Sequence, residues 1–164
     1  MSKEKTGKTN AMRILDSLKI SYEMQSYECD EFVDGITTAD RLGIAHEFVY
    51  KTLVTVAKSR AYYVFVIPIE AELDLKAAAK AVGEKAVELL PLKDLTPVTG
   101  YVRGGCTAIG MKKVFPTVID ASVRALPYLY VSGGRPGLQL KLAVEDYLKA
   151  SGATAADVIV SREE

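Results

Sequence analysis

The sequence predicts an α+β fold of the mixed α/β class: one sheet of several, mainly antiparallel strands with helices packed around it. Three observations predict it. Of the 164 residues, 49% are hydrophobic, enough for one core and one domain. Two runs rich in Val, Tyr and Phe, 49–57 and 61–68, are joined by Lys58-Ser59-Arg60 in the manner of a β-hairpin. The remaining strand-like and helix-like stretches follow one another in mixed order rather than as regular βαβ units.

Residues 1–9 read as a loose, lysine-bearing arm, and 10–164 as the single domain. Asn10 is a capping residue, and Ala11, Met12, Ile14, Leu15 and Leu18 recur at helical spacing, predicting an amphipathic helix that ends near Lys19. Residues 20–27 alternate more loosely and carry β-favouring Tyr22 and Tyr27. A polar loop, 28–35, leads to a short helix at 38–42, capped by Thr37 or Thr38 and closed by Gly43. The hairpin comes next and belongs at the centre of the sheet. Asp74 then opens an alanine-rich helix, DLKAAAKAVG, that stops at Gly83, the usual place for a left-handed residue. Residues 87–90, 101–102, 114–119, 128–131 and 138–142 read as further strands, and a last helix runs from about Val144 to Ala150.

Composition narrows the function. The 21 Lys plus Arg balance 21 Asp plus Glu, whereas a dedicated nucleic-acid binder carries a basic excess that neutralises phosphates. Any nucleic-acid binding by the isolated chain is therefore expected to be weak and shallow in its salt dependence. The local basic groups are Lys3, Lys5 and Lys8, Lys112 and Lys113, and Arg135. Apolar runs such as 62–69 are strand length, well short of the roughly 20 residues that span a bilayer. No membrane or DNA partner is expected. The first ten residues lack an apolar export region, and Cys29 and Cys106 form no Cys-x-x-Cys pair, so a reducing cytoplasm is the expected location. No metal or organic cofactor is expected either, since no His, Cys and carboxylate cluster stands at ligand spacing.

Two glycine-rich turns, GGCTAIG at 104–110 and SGGRPG at 132–137, each lie beside a strand-like run. Glycine lets backbone amides approach a ligand closely; it also makes plain tight turns. Neither turn is a phosphate loop or a dinucleotide fingerprint. Lys51 interrupts the run FVYKTLVTV and shares a face with Leu53 by strand alternation, so its ammonium is partly desolvated and its pKa lowered. Such a lysine can grip a carbonyl, a ribose hydroxyl or a phosphate, or can simply protect a strand edge. His46, the lone histidine, has no GxSxG partner and reads better as a turn residue than as a general base. Cys106, inside a glycine turn with no activating histidine beside it, reads as a small packed residue, and Cys29 stands among Glu28, Asp30 and Glu31, which disfavour thiolate.

Taken in order, VYKTLV (49–54), GGCTAIGMKK (104–113) and VSGGRPGLQL (131–140) resemble the YbaK family of aminoacyl-tRNA deacylases over about residues 9–160. That family includes free-standing Cys-tRNA(Pro) deacylases and the editing domain of bacterial prolyl-tRNA synthetases. The resemblance implies the editing-domain fold, a largely antiparallel mixed sheet or partly closed barrel surrounded by helices. It implies hydrolysis of the ester on mischarged tRNA(Pro), most readily Cys-tRNA(Pro), without a protein nucleophile and with prolyl-tRNA synthetase as a candidate partner. By the same match Lys51 is the essential lysine, Thr52 follows it into the site, Tyr27 and Phe32 are aromatic walls, and Gly105, Ser132 and Gly134 lie on the glycine turns. Two departures bear on amino-acid specificity: Gln139 stands where some cysteine-specific members have an acid, and Arg135-Pro136 replaces a Lys-Arg pair. An alanine-clearing deacylase and a non-catalytic aminoacyl-tRNA or synthetase-binding module are the competing readings; a small-ligand binding protein is a third.

Overall fold

A computed structural model describes residues 7–26 and 35–160. Helix α1 (Asn10–Ser17) buries Ala11, Met12 and Leu15 and is capped one residue earlier than expected. Thr9, with an extended backbone, accepts the Met12 N–H on Oγ1 at 3.2 Å, while Asn10 Oδ1 accepts from Arg13 instead. Thr9 Oγ1 also donates to the Gly133 carbonyl at 2.6 Å, and Arg135 donates to the Gly7 carbonyl at 2.7 Å. Gly7 and Thr9, expected within a loose arm, are thus tied to the second glycine turn; residues 1–6 lie outside the described residues.

Strand β1 (Glu23–Ser26) follows, then α2 (Gly35–Leu42), which starts three residues ahead of the expected 38 and ends at Gly43 with φ 71°. After a 3-10 turn at His46–Phe48 come β2 (Tyr50–Ala57) and β3 (Tyr62–Pro68), the hairpin seen in the sequence. Helix α3 (Leu75–Ala81) has Asp74 as its cap, accepting from the Lys76 and Ala77 N–H groups, and Gly83 beyond its end at φ 74°. Then come β4 (Val87–Leu89), α4 (Leu92–Thr99), β5 (Thr117–Asp120), β6 (Tyr128–Ser132), β7 (Leu138–Ala143), α5 (Val144–Ser151) and β8 (Thr154–Ala156). Three readings need correction. Residues 101–102 form no strand, β5 begins at Thr117 rather than 114 because Pro116 precedes it and Val114 is 96% exposed, and α4 and β8 were not foreseen.

The strands make two sheets, β4-β2-β3-β5-β8 and β1-β7-β6, in place of one sheet, and they do not close into a barrel. Four pairings are antiparallel, and β3/β5 and β5/β8 are parallel. The long apolar run of β3 has its cause in this arrangement. Val64 and Val66 face a core shared with Leu140, Leu129, α1 and α5, while Phe65 and Ile67 face a second core with Ala78 and Ala79 of α3, so both faces of the strand are buried. No helix among the described residues is long and apolar enough to cross a membrane.

Candidate active site

The two sheets part along one edge of β2, and the site lies in the parting. Val49 bridges Tyr130 of β6, whereas the ladder with β4 starts only at Thr55, with the Leu90 N–H reaching the Val54 carbonyl at 2.9 Å. Between these points that edge of β2 has no strand partner among the described residues. Ladder alternation assigns the groups: Val49 and Ala57 hydrogen-bond toward β3, so Thr52, an odd number of residues from both, turns its backbone N–H and C=O to the open edge.

A cleft of about 520 Å³ fills the gap. Its lining mixes polar residues, Lys51, Thr52, Ser132, Gln139 and Arg103, with the leucines Leu53, Leu89, Leu90, Leu92 and Leu95, and Gly104, Cys106, Ile36 and Thr38 also contribute. The Lys51 side chain is half-buried, and burial holds its pKa below the ordinary 10.5, with Glu72 opposing the shift.

Of the residues singled out in the sequence, Lys51, Thr52 and Ser132 line the cleft together. Gly105 and Gly134 stand behind the lining. A Cβ on Gly105 would meet backbone atoms of Arg135, so this glycine lets the two turns pack on each other; Gly134, at φ 107°, packs against Thr9. Ser132 Oγ accepts the Gly134 N–H at 3.2 Å. Tyr27, Phe32 and Cys29 lie outside the described residues.

His46 is not part of the cleft lining: its ring is held between Glu70 at 2.5 Å and Asp40 at 2.7 Å, which raise its pKa, Glu70 first. Cys106 does line the cleft, but burial pushes its thiol up to about 12, so it is a neutral wall and no nucleophile at physiological pH. Among the described residues no three His, Cys, Asp or Glu side chains cluster closely enough to hold a metal ion. Sequence reasoning missed the leucine wall. Its signal was the run ELLPLKDL at 88–95, obscured by Pro91 and Pro97, which disguise a helix that nonetheless forms with Pro97 inside it.

An unpaired strand edge and a partly desolvated lysine beside a cleft with polar and apolar lining are features of a ligand-binding site. Residues 34–150 match the aminoacyl-tRNA editing domain family, and the chain belongs to that family. A protein of Enterococcus faecalis, EbsC, named provisionally as a Cys-tRNA(Pro)/Cys-tRNA(Cys) deacylase, is 43% identical over 160 residues, covering 96% of this chain and 98% of its own. Among solved structures, hypothetical protein APE2540 superposes with a TM-score of 0.82 at 21% identity, over 92% of this chain and 99% of the other. A protein described provisionally as a trans-editing enzyme for prolyl tRNA synthetase superposes with a TM-score of 0.78 at 20% identity, over 95% of this chain and 100% of the other. These two likenesses concern the fold.

Proposed function

We propose that this protein is a trans-editing hydrolase that removes a wrongly attached amino acid, cysteine in the first place, from tRNA(Pro). One observation carries the reading beyond family membership: Lys51 and the free backbone of Thr52 sit side by side where the sheets part. Both are donors, and the strand holds the Thr52 N–H in place before a ligand arrives.

An aminoacyl ester is already activated, so positioning and polarisation supply much of the needed acceleration. The Lys51 ammonium and the Thr52 N–H take the ester carbonyl oxygen or the adjoining ribose hydroxyl. Water then adds to the carbonyl carbon, or the substrate's own thiol does so first; the bond to the 3′ oxygen breaks, and that oxygen takes a proton to leave as the tRNA hydroxyl. The neutral Cys106 thiol and the place of His46 outside the cleft lining are consistent with a reaction that has no protein nucleophile. The leucines of the cleft lining suit the adenine or the amino-acid side chain. A small apolar pocket discriminates poorly between side chains that differ by one small group, so cysteine against alanine is a matter of degree.

The balanced charge of the chain argues for weak tRNA binding in isolation and for prolyl-tRNA synthetase as the partner that presents the substrate, in the cytoplasm where tRNA is charged. The test is amino-acid release from Cys-tRNA(Pro), Ala-tRNA(Pro) and Cys-tRNA(Cys) side by side. Release from Cys-tRNA(Pro) supports the reading, and a protein inert on all three contradicts it.

A further inference from the structure

Two buried side-chain oxygens in the three-stranded sheet have no hydrogen-bond partner: Gln25 Oε1 and Gln139 Oε1. A buried orphan oxygen is costly and rare, and each one calls for a physical reason. They are neighbours. Gln25 of β1 is the ladder partner of Gln139 of β7, and Ser132 of β6 is the partner of Gln139 on its other side. Direct partners in an antiparallel ladder project to the same face, so Gln25, Gln139 and Ser132 form one polar row, about 4.8 Å from strand to strand. Gln139 and Ser132 line the cleft, and Gln139 is only 7% exposed.

We infer that the Gln139 and Gln25 side-chain oxygens, with the Ser132 hydroxyl, form a receptor for the α-ammonium of the aminoacyl group. The inference rests on the proposed function and adds to it the part of the substrate that is read. The chemistry selects the donor. The Gln139 amide oxygen and a hydroxyl with one acceptor position left after the Gly134 N–H belong to the cleft lining, and the Gln25 oxygen stands one ladder position behind them, outside the lining, so the row offers three acceptors. An ammonium offers three N–H groups in a cone; an adenine amine offers two in a plane, and a ribose hydroxyl or a thiol offers one. The two ends of the reacting group are thereby oriented: carbonyl toward Lys51, ammonium toward the glutamine row. A chain with a blocked amine, such as a formylated or peptidyl ester, is refused.

The experiment measures binding of 3′-cysteinylamino-3′-deoxyadenosine, a non-hydrolysable amide of the substrate end, and of its N-acetyl derivative. Wild type is expected to bind the free amine at least about tenfold more tightly than the blocked one, and Gln139→Leu or Gln139→Met to bring the two Kd values within about threefold. Gln139→Glu, which keeps an acceptor, retains the preference. Thermal melting of each variant separates loss of the receptor from loss of the fold, and the methionine variant serves where leucine does not pack. Equal binding of both compounds to wild type, no binding of either, or an undiminished preference in a folded Gln139→Leu protein overturns the receptor. Failure of the underlying reading looks different: the amine preference is present in binding, yet no ester of tRNA is cleaved.

Discussion

Gly105 and Arg135 meet backbone against backbone: a Cβ on Gly105 would lie 2.6 Å from the Arg135 Cα and 2.8 Å from its carbonyl carbon. This contact joins the two glycine turns into one wall behind Ser132 and Cys106. Gly105→Ala must push the turns apart, and overpacking of this kind costs about 1–3 kcal/mol. Denaturant unfolding should show that loss together with a marked fall in deacylation. Gly83→Ala is the control, since Gly83 has φ 74° and open space around it. It should cost about 1–2 kcal/mol from backbone strain alone and leave the rate unchanged.

The Cys106 thiol, raised to about 12 by burial, carries no thiolate at neutral pH. Cys106→Ala should therefore hydrolyse Cys-tRNA(Pro) within a few-fold of wild type, and iodoacetamide at neutral pH should leave Cys106 unmodified. Abolished activity in a well-folded Cys106→Ala protein would restore this thiol to the mechanism.

His46 contributes to stability in a defined pH window. Glu70 and then Asp40 raise its pKa above the ordinary 6.5. A raised folded value means that the stabilisation is full below the unfolded value and is lost as pH climbs through the folded one. His46→Gln should thus lower the melting temperature at about pH 5.5 and progressively less toward about pH 9. Deacylation should be unchanged, because the ring lies outside the cleft lining.

How much of this was legible in the sequence varied with where the determining physics lies. Helix α3 was readable because its signals are local: Asp74 at one end, Gly83 at the other, alanines between. The hairpin was readable for the same reason. Helix α4 was hidden, since Pro97 reads as a breaker and only packing of the leucines over the cleft overrides it. Strand β8, TAA, has little β-propensity and exists because β5 offers it a parallel edge. The division into two sheets, and with it the cleft, was not legible, because it arises where β2 leaves β6 before reaching β4. The desolvation of Lys51 followed from its place in an apolar run; the row of Gln25, Gln139 and Ser132 required the register.

Gln139 should also register in stability. A buried carbonyl oxygen without a partner costs about 1–3 kcal/mol, and leucine has a similar volume without that oxygen. Gln139→Leu is expected to melt at or above the wild-type temperature while losing activity. A variant that melts well below wild type would mean that the amide is satisfied in solution.

The account stands or falls on Lys51. Its half-buried ammonium leaves no large cavity when removed, so Lys51→Ala should melt within about 1 kcal/mol of wild type, and Lys51→Arg, which puts a planar fork in place of a compact ammonium, should fold equally well. The most direct measurement is single-turnover deacylation of Cys-tRNA(Pro) beside thermal melting of the same preparations. The predicted result is a loss of at least about 100-fold in Lys51→Ala and a poor rate in Lys51→Arg with both proteins folded; a folded Lys51→Ala protein that hydrolyses at the wild-type rate would contradict the account.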